Sequence, residues 1–282
     1  MAKIVIKVGG ALISQPYGHL ISQDIAQLVR CKHQVLLVHG GGPQLDQAIR
    51  EQNRSPQKVA GRRVTSAEDL QLAVRVWRGD IATQWIQQLS QQGIAALGLT
   101  GQDAHLIQAT KRPVTKMRCS AGVETDVDFG YVGDIKHINT TVLNTLWSAG
   151  IVPVVAPLGA DKDGRLLNIN ADTIATELAV SLGADELILL SNIDGLLQDP
   201  SNPQSRIPNI DTQEARSLLF DGTIKTGMRP KVESIINAIE RGVSNVHIAN
   251  GTKAHSLYRL LINKETIGTH FVGYSVRNEI PA

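Results

Sequence analysis

The segment Lys3-Ile-Val-Ile-Lys-Val8, followed at once by Gly9-Gly10, is a short apolar run of β-favouring residues that ends in a glycine turn. Such a run is typical of a buried strand. The same pattern recurs in Gln34-Val-Leu-Leu-Val-His39 and the following Gly40-Gly41-Gly42. Helical spacing of apolar residues follows each turn, over residues 21–29 and 44–52. This order of elements predicts parallel strands joined by helices that cover the faces of a sheet.

The alternation of strand-like and helix-like segments continues to the end of the chain. Helices are predicted over residues 66–92, 140–149, 171–182, 212–220, 231–241 and 254–262, and strands over residues 94–97, 151–156, 186–190, 245–249 and 270–272. Residues 53–64 predict a loop, and residues 106–135 predict hairpins. The fold class is therefore α/β with a large, mainly parallel sheet, which we expect to divide into two lobes near residue 165.

The composition excludes several kinds of function. Of 282 residues, 42% are hydrophobic, enough for a large core, and only 4% are aromatic, too few for stacking on nucleic-acid bases. The net charge of +2 includes no basic block, so capture of nucleic acid or a membrane by charge is not indicated. Cys31 and Cys119 are isolated, and the histidines are scattered, so we expect no metal site built from protein ligands. We expect a soluble cytoplasmic protein.

The two glycine turns are candidate anion sites. Glycine lets backbone N–H groups approach a phosphate closely, and a helix that follows adds its positive dipole end. Two such turns on neighbouring strands favour an anion site over two simple tight turns. Neither is a Walker A loop, because Pro43-Gln44 stands where Lys and Ser or Thr are needed, and neither is a dinucleotide-binding G-x-G-x-x-G.

The stretch Asn168-Ile169-Asn170-Ala171-Asp172 opens a predicted helix and holds more polar groups than one helix cap needs. Lys7 is unusual at the end of a buried strand. Lys231 is also unusual, since a cation in a first helical turn opposes the helix dipole. His39 fits a packed histidine at a strand end better than a catalyst. Asp128-Phe129-Gly130 lacks the other motifs of a protein kinase and predicts a turn between β-like runs.

These features together resemble the amino acid kinase family. The matching motifs follow the family's order over nearly the whole chain: Lys7-Val-Gly-Gly10, His39-Gly-Gly-Gly-Pro-Gln44, Gly61-Arg-Arg-Val-Thr65, Asn168-Ile-Asn-Ala-Asp172, Leu190-Ser-Asn-Ile-Asp-Gly195, Thr226-Gly-Met-Arg-Pro-Lys-Val232, Val246-His-Ile248 and Gly268-Thr269. The resemblance implies the three-layer α/β/α sandwich of this family. It also implies a substrate-binding and dimerisation lobe at residues 1–165 and an ATP-binding lobe at residues 166–282.

The resemblance is strongest to members that phosphorylate the γ-carboxylate of N-acetyl-L-glutamate with ATP, giving N-acetyl-L-glutamyl 5-phosphate and ADP, in arginine biosynthesis. It implies that Lys7 and Lys231 stabilise the transferred phosphoryl group and that Asp172 orients them. Such a transfer needs positioning and charge neutralisation rather than a general base, because the attacking carboxylate is already ionised. The backbone N–H groups of Gly10, Gly41 and Gly42 would hold phosphoryl oxygens.

The resemblance also assigns the binding residues. Arg63 and Asn168 would hold the carboxylate and amide end of the acylated amino acid, for which a guanidinium fork is suited. The nucleotide-binding residues would be Asn192, Ile193, Asp194, Gly195, Leu196, Leu197, Thr223, Ile224 and Lys225. Mg²⁺ would be carried mainly by the ATP phosphates.

Three departures from the family pattern leave other acylated substrates open. Thr226 stands where the family often has glycine, Arg62 stands where leucine is common, and the region from Arg112 to Asp134 is long. N-succinylglutamate and a carrier-linked aminoadipate are therefore alternatives. The first strand begins at Lys3, whereas arginine-inhibited relatives carry an additional helix before it, so we expect a homodimer insensitive to arginine.

Other functions on the same fold also compete. A kinase for carbamate, aspartate or a nucleotide monophosphate is disfavoured because Arg63 and Asn168 suit an acylated amino acid. A non-catalytic small-molecule sensor is disfavoured because both lysines and Asp172 are present.

Overall fold

The computed structural model describes residues 1–13, 16–118, 124–199, 201–224 and 228–274. Its strands are β1 (Lys3–Val8), β2 (Gln34–His39), β3 (Lys58–Val59), β4 (Arg62–Arg63), β5 (Ala96–Leu99), β6 (Ile107–Lys111), β7 (Thr115–Arg118), β8 (Glu124–Val127), β9 (Gly133–Ile138), β10 (Val152–Val155), β11 (Leu158–Ala160), β12 (Leu166–Asn168), β13 (Glu186–Ser191), β14 (Asn209–Asp211), β15 (Asn245–Asn250) and β16 (Thr269–Val272).

The helices are α1 (Tyr17–Arg30), α2 (Gly42–Glu51), α3 (Ala67–Ala73), α4 (Ala82–Gln91), α5 (Thr141–Ser148), α6 (Ala171–Leu182), α7 (Thr212–Phe220), α8 (Arg229–Glu240) and α9 (Ser256–Leu261). A π-helical segment, Val74–Ile81, joins α3 to α4. Single 3₁₀ turns lie at Gly10–Leu12, Asp103–His105 and Pro203–Ser205.

The main sheet has eight strands in the order β14-β16-β15-β13-β1-β2-β10-β5. Neighbouring strands are parallel, except that β15 and β16 are antiparallel. Strand β1 lies between β13 and β2, so the segments that follow these three strands meet at one edge of the sheet. The prediction that the two glycine turns lie on neighbouring parallel strands is confirmed.

Alternation along β1 divides the core into two layers. Ile4, Ile6 and Val8 are fully buried on one face, in a cluster shared with α1, α2, α4 and α9. Val5 packs on the other face, in a cluster shared with α5, α6, α7 and α8. Because side chains alternate along a strand, Lys7 lies on the face of Val5 and therefore towards α6. This is the predicted α/β/α sandwich, and the large, mainly parallel sheet is confirmed.

A second sheet follows the carboxyl edge of the main sheet. Its order is β12-β11-β6-β9, and two hairpins, β3–β4 and β7–β8, complete the β-structure of the described residues. Strand β12 ends at Asn168 and leads directly into α6, which begins at Ala171. The polar stretch Asn168–Asp172 is therefore the connection between the second sheet and a helix of the main sandwich.

The differences from the predicted elements are local. The strand predicted at 94–97 lies at Ala96–Leu99, because its position is set by pairing with β10 rather than by the buried Ile94. The loop predicted at 53–64 contains the β3–β4 hairpin. Residues 67–91 are helical throughout, and the Ser66 side chain accepts a hydrogen bond from the Asp69 N–H at 3.1 Å, which confirms the predicted N-cap.

The segment 128–130 is a turn between β8 and β9, as expected. The Gly130 N–H donates to the Asp128 carboxylate at 2.8 Å, Gly130 has a φ of +70°, and Phe129 is fully buried. A short polar side chain that bonds to the backbone two residues later is typical of such turns.

The predicted division into two lobes near residue 165 is not tested by this architecture and stays a prediction. Strands from both sides of that position pair in the main sheet, with β1 next to β13.

Candidate functional site

Two lysines share one carboxylate at the carboxyl edge of the main sheet. Lys7 Nζ lies 2.8 Å from Asp172 Oδ1, and Lys231 Nζ donates to Asp172 Oδ2 at 2.7 Å. The three side chains are mostly buried, with 12%, 15% and 19% of the surface of Lys7, Lys231 and Asp172 exposed. Residues that are far apart in the sequence thus form one cluster.

Each member is placed by the end of a regular element. Lys7 is the penultimate residue of β1, while Asp172 and Lys231 lie in the first turns of α6 and α8. The Asn170 side chain caps α6 by accepting from the Asp172 N–H at 2.7 Å and the Thr173 N–H at 3.4 Å. Capping is thus the role of Asn170, as expected, and it leaves the Asp172 carboxylate free to face the lysines.

The charges in this cluster shift the pKa values of its members. Burial alone would raise the pKa of the Asp172 carboxyl, but the ammonium groups of Lys7 and Lys231 outweigh burial and hold this pKa well below its usual range. Burial lowers the pKa of Lys231, and so does the charge of Lys7, whereas Asp172 raises it. With the carboxylate ionised between two ammonium groups, the cluster carries one net positive charge, which suits an anion.

The glycine turns lie against each other beside this cluster. A Cβ on Gly40 would lie 3.0 Å from the Gly10 nitrogen, and a Cβ on Gly10 would lie 3.2 Å from the Gly41 nitrogen. Gln44 joins the turns by donating from Nε2 to the Gly10 carbonyl at 2.8 Å. Within the described part of the chain, the N–H groups of Gly41 and Gly42 have no hydrogen-bond acceptor, so they are free to bind an anion.

A cleft of about 420 Å³ opens next to the glycine turn after β2. Gly41, Gly42, Arg63 and Asn168 line it, as do the neighbours of the charged cluster, Ala171, Thr173 and Pro230. The proposed substrate-binding residues therefore share one cavity, and the lysine–carboxylate cluster lies at its border.

Arg63 is held at the cleft by contacts on one side of its guanidinium group. Its Nη2 donates to Asp46 Oδ1 and to the Gly42 carbonyl, the latter at 3.2 Å. Its Nη1 is buried and has no hydrogen-bond partner among the residues that the structure describes. A guanidinium that is fixed at Nη2 and unsatisfied at Nη1 is suited to bind a carboxylate.

Asn168 is held from the opposite side. Its Nδ2 donates to Thr65 Oγ1 at 2.9 Å, and its backbone N–H donates to the Tyr131 carbonyl at 2.9 Å. Thr65 is in turn bound through its N–H and carbonyl to Phe129 and Tyr131. The Asn168 side chain is thus fixed through Thr65 by the turn at residues 129–131, which lies more than thirty residues earlier in the sequence.

The predicted nucleotide-binding residues lie after β13, away from the cleft lining. Asn192, Ile193, Asp194, Gly195, Leu196 and Leu197 follow β13 directly, and Thr223 and Ile224 follow α7. Leu196 and Ile224 are buried core residues, so any contact that they make with a nucleotide would use their backbone. Lys225 lies outside the described residues.

Hydrogen bonds hold the loop after β13 against β15 and β16. The Leu196 N–H donates to Thr269 Oγ1 at 2.8 Å, and Asn250 Nδ2 donates to Asp194 at 2.9 Å. Gly195 has a φ of +126°, and a Cβ there would lie 2.6 Å from Thr269 Oγ1, so this position requires glycine.

The sequence patterns missed Asp46, Thr65 and Trp77. Asp46 binds Arg63 and also accepts from Lys58 Nζ at 2.7 Å. Burial would raise the pKa of Asp46, but Lys58 and Arg63 together lower it. Asp46 and Trp77 carry no signal that differs from the ordinary pattern of an amphipathic helix, whereas Thr65 ends the motif Gly61–Thr65 but was given no role from the sequence.

His39 is a packed strand-end residue, as expected. It is fully buried, and its Nδ1 contacts the Gly40 carbonyl at 2.7 Å. Burial lowers its pKa to about 4, against which the Gly40 bond acts, so the imidazole is neutral at physiological pH.

A model of the amino acid kinase family matches residues 2–250. The chain belongs to the amino acid kinase family. The resemblance drawn from the motifs is thereby confirmed.

Relatives of this family cover nearly the whole chain. The chain is 38% identical over 268 residues to acetylglutamate kinase from Methanosphaera stadtmanae, an alignment that covers 95% of this chain and 90% of the relative. The structure of smu.665 from Streptococcus mutans UA159 has a TM-score of 0.76 at 31% identity and covers 96% of this chain and 98% of its own.

A longer protein shares the fold and has been solved with ligands. N-acetylglutamate synthase from Neisseria gonorrhoeae, complexed with coenzyme A and N-acetyl-glutamate, has a TM-score of 0.83 at 25% identity and covers 97% of this chain. The present chain spans 60% of that protein. In the described residues, no helix is both long and apolar enough to cross a membrane.

Proposed function

We propose that the protein is an acetylglutamate kinase, which transfers the γ-phosphoryl group of ATP to the γ-carboxylate of N-acetyl-L-glutamate in arginine biosynthesis. The observation that carries this proposal is the pair Lys7 and Lys231 on one ionised Asp172, at the border of a cleft that contains Arg63. The relatives that are 38% identical over most of the chain support the choice of substrate.

The reaction makes and breaks one bond to phosphorus. A γ-carboxylate oxygen attacks the γ-phosphorus of ATP, the bond from this phosphorus to the bridging oxygen breaks with its electrons, and ADP leaves. The negative charge on the transferred group is neutralised by Lys7 and Lys231, one reaching it from β1 and the other from α8. The free N–H groups of Gly41 and Gly42 donate to its oxygens.

Asp172 acts by positioning. Its two oxygens hold the two ammonium groups at 2.8 and 2.7 Å and offset the repulsion between them. Because its own pKa is held low, it does not take up a proton at neutral pH and therefore serves as neither acid nor base. No base is needed, since the attacking carboxylate is ionised at neutral pH.

The lysine ammonium groups and the glycine N–H groups suit a nucleotide phosphate rather than a metal ion. The described residues contain no group of three or more His, Cys, Asp or Glu side chains arranged for a metal ion. We propose that Mg²⁺ is carried by the ATP phosphates, where it would neutralise charge on them. The residues after β13 and α7, Asn192 to Leu197 and Thr223 to Lys225, are proposed to bind the nucleotide.

The amino-acid substrate is proposed to bind between Arg63 and Asn168. The unpartnered Nη1 of Arg63 would pair with the α-carboxylate, and the Asn168 amide would bond the acetamido group. A ligand held at this end lies across the cleft, so that its side-chain carboxylate points to the lysines.

A second candidate substrate is an acyl amino acid with an additional carboxylate, such as N-succinylglutamate or a carrier-linked aminoadipate. The observation that favours it is Arg62, which lines the cleft, is exposed, and forms no ion pair with any residue in the described ranges. An unpaired guanidinium at a binding cleft suits a second anionic group.

Hydroxylamine trapping of the acyl phosphate tests these proposals. Wild-type protein with ATP and Mg²⁺ is expected to form hydroxamate from N-acetylglutamate and not from carbamate, aspartate or free glutamate. Higher kcat/KM with N-succinylglutamate, lost in Arg62→Leu, would support the second candidate. Lys231→Ala is expected to lose about 100-fold or more in kcat, with nucleotide affinity nearly unchanged. No turnover with any substrate would favour a sensor.

We further propose a cytoplasmic homodimer that arginine does not inhibit, with the substrate lobe before residue 165 and the nucleotide lobe after it. Support for the cytoplasmic location comes from the free, exposed Cys31. Light scattering is expected to give twice the chain mass of 30.5 kDa. A hexamer whose activity falls with arginine would contradict this proposal.

A further inference from the structure

The indole of Trp77 is packed against the glycine turn of the cleft. Its Nε1–H donates to the Gly41 carbonyl at 3.0 Å, and its side chain is buried within the π-helical segment Val74–Ile81. A Cβ on Gly41 would lie 2.5 Å from Cδ1 and 2.6 Å from Nε1 of the indole. The contact therefore requires glycine at position 41, and the two residues form a matched pair.

This hydrogen bond fixes a direction as well as a distance. In a trans peptide, the carbonyl and the following N–H point in opposite directions. The Gly41 carbonyl also accepts from the Leu45 N–H of α2 at 3.0 Å, so Trp77 and the helix hold it together, and the N–H of Gly42 points away from both donors. Gly42 itself borders the cleft, and a Cβ there would meet no atom within 4 Å. Within the described residues, the Gly42 N–H has no hydrogen-bond acceptor, so it is free to donate to a ligand.

The neighbouring carbonyls of the turn are held in the same way. His39 contacts the Gly40 carbonyl at 2.7 Å, and Arg63 donates to the Gly42 carbonyl at 3.2 Å. Each of the three glycine carbonyls thus has a side-chain partner. Trp77 also packs in the core and lines the cleft, so a test of its role must separate an effect on kcat from an effect on substrate binding.

We propose that Trp77 is a positioning residue for phosphoryl transfer, which adds to the Leu45 bond in holding the Gly41–Gly42 peptide so that the Gly42 N–H donates to the transferred group. This proposal rests on the proposed kinase function. Donors fixed before the reaction stabilise a developing charge more than donors that must reorient, so the effect is expected in kcat rather than in ground-state binding.

The test compares three Trp→Phe variants, since the chain contains three tryptophans. Trp77→Phe removes the N–H and keeps an aromatic ring. Trp147→Phe removes a matched bond, from Nε1 to the Val35 carbonyl at 2.9 Å, at the start of β2 and far from the glycine turn. Trp85→Phe reports the change of ring alone, because the buried Trp85 Nε1 has no hydrogen-bond partner in the described part of the chain.

We expect Trp77→Phe to lower kcat roughly 10-fold to 100-fold, below the ~10²–10³-fold loss that follows complete removal of such a donor. The KM values for ATP and N-acetylglutamate should change less than about threefold, and the melting temperature should fall no further than in Trp147→Phe. Trp147→Phe and Trp85→Phe should keep wild-type kcat. If Trp77→Phe does not fold, 3-benzothienylalanine at position 77, with sulfur in place of the N–H, gives the same comparison.

The outcomes separate the two proposals. If the wild-type enzyme is active and kcat is equal in Trp77→Phe and Trp147→Phe, the role of Trp77 is overturned and the proposed kinase function stands. A rise in KM at unchanged kcat would also overturn it, since it would make Trp77 a part of ground-state binding. Wild-type protein that forms no hydroxamate from any acyl amino acid would overturn both.

Discussion

Replacing Asp172 with asparagine removes one negative charge from the centre of the cluster and keeps the shape of the side chain. The variant leaves two ammonium groups, each mostly buried, without the carboxylate that lies 2.8 and 2.7 Å from them. Lys231 is affected most, because burial and Lys7 already lower its pKa and Asp172 is the group that raises it. We therefore expect the pKa of Lys231 to fall further in this variant.

The size of the effect follows from burial. Breaking a buried pair by removing one partner costs about 3–5 kcal/mol, and the exposed fractions of 12–19% place this cluster near the lower end, at about 3 kcal/mol. For catalysis, loss of one fixed electrostatic stabiliser lowers kcat by about 10²–10³-fold. Asp172→Asn acts on two lysines, so we expect at least the upper value.

Glu177→Gln is the matched control, since Glu177 lies on the same helix and pairs at 2.6 Å with Arg241, whose side chain is 42% exposed. Exposed pairs contribute about 0.2–1 kcal/mol, so this variant should keep activity and lose little stability. Urea unfolding and the hydroxamate assay give both quantities. If Asp172→Asn matches Glu177→Gln in stability and keeps kcat within about threefold of wild type, the cluster does not act as proposed.

The pH dependence of this difference has a defined sign. The folded pKa of Asp172 is lowered from 3.8, so its stabilising contribution is present above about pH 4 and is lost as the pH falls towards the folded pKa. The stability difference between wild type and Asp172→Asn should therefore be constant at neutral pH and shrink below about pH 4. A difference that grows on acidification would contradict this assignment.

Two further predictions concern the supports of the cleft. Gly130→Ala would place a Cβ 2.2 Å from the Thr65 carbonyl at a φ of +70°, so we expect the free energy of unfolding to fall by about 3 kcal/mol or more and the KM for the acyl amino acid to rise. Gly150→Ala is the control, with a φ of +72° and no atom within 4 Å of the added Cβ, and its free energy of unfolding should fall by only about 1–2 kcal/mol. Burial lowers the pKa of His39 from 6.5 to about 4, so the stability that is present above pH 6.5 is lost as the pH falls to about 4. Relative to His39→Asn, the wild type should lose about 3 kcal/mol of unfolding free energy over that range, measured in urea. Parallel plots of stability against pH for the two proteins would refute this.

The sequence was sufficient for the parts of the fold that depend on local periodicity. The apolar run Lys3–Val8 and the helix Ala171–Leu182 have the bounds that their patterns predict. Period-two alternation also decides the direction of Lys7, since Val5 on the same face packs among the residues of α6. Short elements were harder to find: Leu158–Ala160 and Asn209–Asp211 have three residues each and owe their strand geometry to their partners.

The site was predictable to the extent that the family motifs cover it. Asp46 and Trp77 lie outside those motifs, and their roles arise from contacts across many residues. Trp77 contacts Gly41, 36 residues away, and Asp46 contacts Arg63, 17 residues away. Their residue types match the ordinary pattern of an amphipathic helix, so their spacing alone does not distinguish them from core and surface positions. Only the tertiary structure shows that they hold the cleft.

The stretch Asn168–Asp172 explains why three polar side chains stand so close together. Asn168 ends β12 and bonds Thr65, Asn170 caps α6, and Asp172 holds the lysines, so each serves a different neighbour. The cap fixes the first turn of α6, and that turn fixes the carboxylate between β1 and α8. A change in the cap should therefore reach the lysines: Asn170→Ala is expected to cost about 1 kcal/mol in stability and to lower kcat by more than this loss explains. An unchanged kcat would mean that the lysines hold Asp172 without help from the helix.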